Sequence, residues 1–225
     1  MSRLTALLGR AKEILQQEGL TPLLRRGFGF VAGWFFQYGT YYLYEHTLKQ
    51  RNGADFIPRL QNFTFKMVST NQEADELAAS GLEFRSRDGT DRDRLDKGAI
   101  AFCVFVGREL VHIGWVAMTQ QAKDAMKQLP YAVDFSKNEA CSGATVTSPD
   151  YRGMGLMAYG YFKRLEFLRE MGRARCRAAV AKSNIASQRG HAKLNPKLYA
   201  EARYLKILWW KFWKEKPLAQ AGGHS

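Results

Sequence analysis

The 225-residue chain has few of the residues that build metal sites and disulfide frameworks. Its three cysteines, Cys103, Cys141 and Cys176, are odd in number and form no C-x-x-C pair, which argues against a disulfide framework and a zinc site. The four histidines form no H-E-x-x-H or similar cluster, so we expect no metal. The N-terminus lacks the compact apolar segment and cleavage site of a secretory signal, and we expect a cytoplasmic protein.

Acidic residues are scarce relative to basic ones. The chain has 34 lysines and arginines against 21 aspartates and glutamates, which gives a formal net charge of +13. This balance favours anionic partners, namely nucleic acid, phosphate-bearing cofactors, acidic proteins or an anionic membrane face, and it says nothing about the fold. The hydrophobic fraction of 46% suits one sizeable globular domain with an extension.

Residues 1–58 predict an N-terminal helical and aromatic extension. Residues 27–44 carry no charge over 18 positions, the lower limit for a membrane-spanning helix, but they contain four glycines, four tyrosines and Gln37. Three interpretations are open: a helix packed on the main domain, an interfacial membrane helix and a true span. Because the glycines and Gln37 disfavour insertion, we expect a helix that packs its aromatic face on or near the main domain.

Residues 59–216 predict one mixed α/β domain, and residues 217–225 a flexible tail. An alternating segment over residues 63–69 indicates a strand, and a hairpin turns at Gly107. From residue 139 onwards, predicted strands alternate with predicted helices. A meander followed by such alternation is typical of a mixed α/β fold.

The segment "SPDYRGMGLM" places two glycines directly before a predicted amphipathic helix. The first backbone N–H groups of a helix are unpaired, and the helix dipole favours an anion there. Since glycine lets a phosphate approach the backbone closely, Arg152-Gly153-Met154-Gly155 is a sensible pyrophosphate cradle. The alternative is a tight strand-to-helix corner.

The longer segment "VTSPDYRGMGLM" resembles the acyl-CoA-binding signature R/Q-x-x-G-x-G/A of the GNAT (Gcn5-related N-acetyltransferase) superfamily. Arg152, Gly153 and Gly155 match the signature, whereas Met157 replaces the usual glycine or alanine. The order of predicted elements also resembles the family over roughly residues 63–213. The resemblance implies a central, mostly antiparallel sheet with flanking helices, in which the fourth and fifth strands splay apart.

A second segment, "NIASQRGHAKLNP", resembles the family pattern N-x-x-A/S-x-x-x-Y-x-K-x-G-F. Asn184, Ser187 and Lys193 are in register, and His191 stands at the tyrosine position. In relatives the asparagine binds the pantetheine arm and the tyrosine commonly protonates the leaving thiolate. The resemblance therefore implies a proton-donor role for His191, with a surface histidine as the alternative. The residues that it implies for acyl-CoA binding are Thr145, Val146, Thr147, Arg152, Gly153, Met154, Gly155, Leu156, Met157, Asn184 and Ser187.

The fourth strand, residues 139–148, also carries the candidate base. Simple alternation puts Glu139, Cys141, Gly143, Thr145 and Thr147 on one face. Glu139 is the one carboxylate of this strand and lies at the spacing before the signature that an amine-acetylating branch uses for its base. The alternatives are a solvated strand-end charge for Glu139, and Asp134 as the base. Cys141 has no paired base that would make it a nucleophile.

The sequence thus predicts an N-acyltransferase that moves an acyl group from acetyl-CoA or another acyl-CoA to an amine, such as an amino sugar or a lipid-linked precursor. An acyl carrier protein as donor and a non-catalytic module that binds an acyl thioester or nucleic acid are the alternatives. The segment "YLKILWWKFWKEK" mixes tryptophans with lysines, which suits a closing strand, a membrane-interface anchor or a nucleic-acid stacking surface. Peripheral contact with the inner face of the membrane therefore stays open.

Overall fold

The computed structural model describes residues 36–218 except residues 87 and 128. The strands within these residues are β1 (Phe36–Thr47), β2 (Phe63–Val68), β3 (Ile100–Val106), β4 (Glu109–Ala117), β5 (Glu139–Thr147), β6 (Arg175–Ala181), β7 (Lys197–Ile207) and β8 (Trp210–Pro217). The α-helices are α1 (Asn71–Ala79), α2 (Asp91–Asp96), α3 (Gln120–Ala125), α4 (Leu156–Glu170) and α5 (Ile185–Ala192).

The strands form one mostly antiparallel sheet in the order β2-β3-β4-β5-β6-β1-β7-β8. Strands β2 to β5 make an antiparallel meander, in which the hairpin between β3 and β4 turns at Gly107 as expected. Strands β5 and β6 are parallel, because α4 returns the chain between them. The expected mixed α/β fold with a mostly antiparallel sheet is confirmed.

Strand β1 overturns part of the sequence prediction. The helix expected over residues 27–44 is wrong for its described part, because residues 36–44 are β-strand and Tyr41–Thr47 pair antiparallel with β6. The physical reason lies in the composition: a run rich in tyrosine, phenylalanine and threonine suits the pleated surface of a sheet, where Leu43 and Tyr44 are buried. The expected helices in residues 1–35 and the tail beyond residue 218 lie outside the described residues.

The chain divides into two compact units. The larger contains Tyr41–Ala202, so residues 41–58, which the sequence assigned to the extension, belong to the same unit as the helices and strands around α4. Of the described residues, the smaller contains 36–40 and Arg203–Lys214. None of the described helices is long and apolar enough to cross a membrane.

Helix α4 organises the core of the larger unit. Its buried face carries Tyr161, Phe162, Leu165 and Leu168, which pack with residues of β3 to β6 such as Phe102. Burial of each large apolar side chain contributes about 1.5–3 kcal/mol. This packing fixes the N-terminal end of α4, and with it the "RGMG" turn, against the central strands.

Candidate functional site

A groove opens where β5 and β6 separate. The two strands pair only at Glu139–Arg175, Ala140–Cys176 and Cys141–Arg177 within the described chain. From Ser142 onwards, no strand of the described residues pairs with the edge of β5 that faces β6. The splay implied by the resemblance is confirmed, and it starts directly after Cys141.

A β-bulge re-aims the side chains of β5. The register between β4 and β5 shifts between Ile113 and Trp115, and Ala144 has a φ of 46°. An extra residue in one strand reverses the alternation beyond it. Ser142 and Thr145 consequently both accept a hydrogen bond from Arg164 Nη1, at 2.8 and 2.9 Å. The sequence prediction that Thr145 and Thr147 share the face of Glu139 was wrong for this reason.

The "RGMG" turn has the backbone that a phosphate cradle needs. Gly153 and Gly155 have φ values of 81° and 87°, a region that residues with a side chain rarely adopt. Gly155 is the N-cap of α4 and provides no side-chain hydrogen bond to the first turn of the helix. The turn is also held by the segment before β2, because the backbone N–H of Arg59 donates to the carbonyl of Met154 at 2.8 Å.

A cavity of about 600 Å³ joins this turn to the start of α5. Of the residues expected to bind acyl-CoA, all except Met154 line it, so the structure brings the two sequence segments together. Its basic lining residues are Arg152, Arg189 and Lys193, and no aspartate or glutamate lines it within the described chain. The charged residues that line the cavity are therefore all positive, which favours an anionic ligand.

Met157, which departs from the family signature, is accommodated by a glycine of α5. A Cβ atom on Gly190 would lie 2.6 Å from Met157 Sδ, so the thioether occupies the space that a side chain there would need. Met157 lines the cavity without closing it. The larger side chain at position 157 is thus matched by a small residue thirty-three positions later in the sequence.

Asn184 stands at the N-terminus of α5, facing the same cavity. Its Oδ1 accepts the backbone N–H of Ser187 at 3.0 Å, which caps the helix. Among the described residues, none accepts a hydrogen bond from its amide nitrogen, so this group is available to a ligand. The side chain therefore combines a structural cap with a free donor.

A second cavity, of about 300 Å³, continues the groove on the other side of the splay. It shares Thr145, Met157, Asn184 and Ser187 with the first cavity. Its deeper lining includes Ser142, Tyr161 and His191. A ligand that enters past the "RGMG" turn can therefore place its end between β5 and β6.

Glu139 does not lie in this groove. Its buried carboxylate accepts hydrogen bonds from Arg177 Nε and Nη2 at 2.6 and 2.9 Å and from the backbone N–H of Asp134 at 2.9 Å. The hydrogen bond from Arg177 is the main reason why the pKa of Glu139 is lowered. Because Glu139 sits where β5 and β6 are still paired, the geometry makes it a structural ion pair and counts against its assignment as the base.

The other candidates for a base or a nucleophile are also remote from the groove. Asp134 caps the short helix Phe135–Lys137 and pairs with Lys137 at 3.1 Å. Cys141 is fully buried, and burial raises the pKa of its thiol to about 12. Neither residue lines a cavity, and no carboxylate of the described chain lines either one.

His191 does reach the groove, where it lines the second cavity. Its Nδ1 lies 2.9 Å from Nε2 of His46, and Tyr44 stacks on its ring at 5.1 Å. Burial and the nearby charge of Arg164 lower the pKa of His191 to about 3, so the ring is neutral near pH 7. An imidazolium that donates its proton, as the sequence suggested, is therefore disfavoured, whereas a neutral N–H donor is compatible with the site.

Two residues behind the groove, Arg164 and His46, were not among the predicted site residues. Arg164 has no exposed surface, bonds the carbonyl of Gly160 at 2.9 Å and lies over the Tyr161 ring at 4.2 Å, with no carboxylate partner in the described chain. In the sequence it looks like one more charge on a helix face. The signal that could have found it is Gly114, where a Cβ would collide with the guanidinium, but this needs the register of α4 on β4.

Comparisons with known proteins agree with this geometry. No family model and no curated protein match the chain. A GNAT-family acetyltransferase from Colwellia psychrerythraea matches with a TM-score of 0.50 and 14% identity over 76% of this chain and 57% of that chain. A GCN5-related glucosamine N-acetyltransferase region of a fungal multi-domain β-N-acetylglucosaminidase matches at 0.53, with 12% identity over 84% of this chain and 23% of that chain. The chain has the GNAT fold.

At these identities the likeness concerns the fold alone. The chain also spans less than two thirds of the length of both solved chains. The cavity and its lining residues, rather than the neighbours, must therefore carry any statement about chemistry.

Proposed function

We propose that the protein is a GNAT-type N-acyltransferase that moves an acyl group, acetyl in the simplest case, from acyl-CoA to an amine. The observation that carries the proposal is the continuous groove through the β5–β6 splay. One end has the uncapped start of α4 with three basic side chains, and the other has unpaired strand edge and polar side chains. A long ligand with an anionic head and an amide-bearing arm fits this order of groups.

The anionic end of acyl-CoA would lie on the turn. The backbone N–H groups from Gly153 to Met157 face the pyrophosphate in this arrangement, and Arg152, Arg189 and Lys193 supply positive charge. The amides of the pantetheine arm would pair with the free edge of β5 as an additional strand does, and Asn184 would supply a side-chain donor. The thioester then arrives between the two cavities, beside Thr145 and His191.

The chemistry is a direct transfer. The amine nitrogen attacks the thioester carbonyl, the C–N bond forms, the C–S bond breaks, and the proton lost by the amine ends on the departing sulfur. Backbone N–H groups at the bulge and the neutral N–H of His191 would stabilise the charge that develops. No carboxylate of the described residues lines the cavities. The proton that leaves the amine would therefore reach the sulfur through water or directly from the amine.

The decisive experiment is a thiol-release assay with acyl-CoA of increasing chain length and a panel of amines, amino sugars among them. We expect release that depends on both substrates and binding of CoA by calorimetry. CoA binding without transfer to any amine would favour the alternative of a non-catalytic module. Release from acylated carrier protein but not from acyl-CoA would favour the carrier as donor.

The smaller unit supports a peripheral contact with an anionic membrane, and hence a lipid-linked acceptor. Trp209 and Trp210 at the β7–β8 hairpin are 75% and 62% exposed, and Lys211 and Lys214 are exposed beside them. Tryptophan suits the interface of a bilayer, and each lysine near it contributes about 1 kcal/mol. Co-sedimentation with vesicles should rise with anionic lipid, fall with salt and be lost in Trp209→Ser/Trp210→Ser, whereas binding indifferent to lipid charge would contradict the contact.

A further inference from the structure

His46 and His191 form a buried pair beside the second cavity. His46 Nε2 lies 2.9 Å from His191 Nδ1, and the two residues are 0% and 2% exposed. His191 lines the cavity and His46 lies behind it. His46 is supplied by β1, where it pairs with Cys176 of β6. A strand outside the segment that resembles the family thus supplies the hydrogen-bond partner of a residue that lines the groove.

The two rings are held in place by aromatic neighbours. Tyr44 stacks on His191 with an interplanar angle of 7°, and the Tyr161 ring meets His191 edge-on at 4.4 Å. Tyr161 also packs against His46 at 4.9 Å. Because these contacts fix both ring planes, the short distance between the nitrogens is a directed hydrogen bond.

Both rings are neutral. Burial, the facing ring of His191 and the charges of Arg51 and Arg164 lower the pKa of His46 to about 2. Burial and Arg164 lower the pKa of His191 to about 3. In a pair of neutral imidazoles, one nitrogen of the bond must carry the proton and the other must accept it.

The second nitrogen of His46 decides which one donates. His46 Nδ1 is buried and has no hydrogen-bond partner among the described residues. A buried N–H without a partner is rarer in proteins than a buried acceptor without one, so Nδ1 is the unprotonated nitrogen. His46 therefore carries its proton on Nε2 and donates it to Nδ1 of His191. A neutral His191 must then carry its own proton on Nε2.

We propose that His46 is a positioning residue that fixes the Nε2–H tautomer of His191, so that His191 donates a hydrogen bond to the thioester sulfur as it leaves. This role rests on the proposed acyl transfer. A neutral imidazole N–H is too weak an acid to give up its proton to a thiolate, so His191 stabilises the charge while the proton of the amine reaches the sulfur through water. The neutral form is the useful one, since its donor needs no imidazolium beside Arg164.

The tautomer can be read without any substrate. Long-range ¹H–¹⁵N correlation spectra of the ¹⁵N-histidine-labelled protein should show His191 protonated on Nε2 only and His46 protonated on Nε2 only. A scalar coupling across the hydrogen bond should link His46 Nε2 to His191 Nδ1. A proton on His191 Nδ1, or a mixture of tautomers, would overturn the proposal whether or not the protein proves to be an acyltransferase.

Two variants of His46 separate positioning from packing. His46→Phe keeps a ring but removes the donor, so His191 should become a tautomer mixture and kcat should fall by up to about tenfold, as for the loss of one hydrogen bond, with little change in KM for acyl-CoA. His46→Gln keeps a donor near the Nε2 position and should restore the single tautomer and most of kcat. An unchanged His191 spectrum in His46→Phe would refute the role of His46, and the wild-type spectrum alone decides the matter if that variant does not fold.

Discussion

Two buried neutral histidines should make the fold sensitive to mild acid. The ordinary histidine pKa of 6.5 is lowered to about 2 at His46 and about 3 at His191. Below pH 6.5 the unfolded chain binds protons at both positions while the folded chain does not. Since the unfolded state then binds more protons, the free energy of unfolding must fall as the pH falls.

The loss in the free energy of unfolding grows with the difference between the ordinary histidine pKa of 6.5 and the pH of the measurement. One pKa unit corresponds to about 1.36 kcal/mol, so at pH 5 each ring costs about 2 kcal/mol and the pair about 4 kcal/mol. With a urea dependence of about 2 kcal/mol per M, the unfolding midpoint should drop by about 2 M between pH 7.5 and pH 5 on account of these two residues.

Urea unfolding followed by tryptophan fluorescence measures this loss. The double variant His46→Gln/His191→Gln is the matched reference, because every other titrating group, His112 included, is kept. We expect the wild-type protein to lose about 2 M more in midpoint than the double variant over this pH range. An equal drop of the urea midpoint in both proteins would mean that the two rings protonate in the folded state as readily as in the unfolded state, and it would refute the neutral pair.

Three further substitutions test separate parts of the site. Gly155→Val should weaken CoA binding at least tenfold by calorimetry, because valine strains a φ of 87° at the cradle, while circular dichroism stays native. Glu139→Gln should lower the free energy of unfolding by about 1–3 kcal/mol, because a neutral amide replaces the carboxylate that holds Arg177 while Glu45, 3.5 Å from Arg177, remains, yet kcat should be nearly unchanged; a large kcat loss would reinstate Glu139 as the base. Arg164→Met should lower kcat, because Ser142 and Thr145 at the bulge lose their hydrogen bonds to the guanidinium. The free energy of unfolding should change little, because the substitution also removes a buried charge. An unchanged kcat would deny Arg164 any role in the groove.

Much of the fold was readable from local patterns. The hairpin at Gly107 and the helix after Gly155 rest on turn chemistry and periodicity within a few residues, and both are present. Strand β1 was not readable, since an uncharged aromatic run suits a buried strand and an apolar helix alike. What decides its conformation is the edge of β6, whose residues are 128 to 140 positions away from their partners in β1.

The same distinction between local patterns and long-range pairing applies to the site. Most residues that line the first cavity lie in two short motifs, one over residues 145–157 and one that begins at Asn184, and they were predicted together. The side chains behind the groove were not, because their roles depend on the bulge at Ala144 and on the pairing of β1 with β6. One extra residue in β5 moved Thr145 onto Arg164, and no alternation argument anticipates this shift.

The absence of a carboxylate from the described lining of both cavities has a kinetic consequence for the proposed transfer. The neutral histidine pair does not titrate near pH 7, since the pKa of His191 is lowered to about 3. The ionisation that limits the reaction must then belong to the amine, which attacks only in its unprotonated form. A plot of log kcat/KM against pH should rise with unit slope to the pKa of the amine itself, and the break should move when an amine of lower pKa is used. A break near pH 6 to 7 that ignores the identity of the amine would require an enzyme base in contact with the acceptor, and the transfer would have to be assigned to a group outside the described residues.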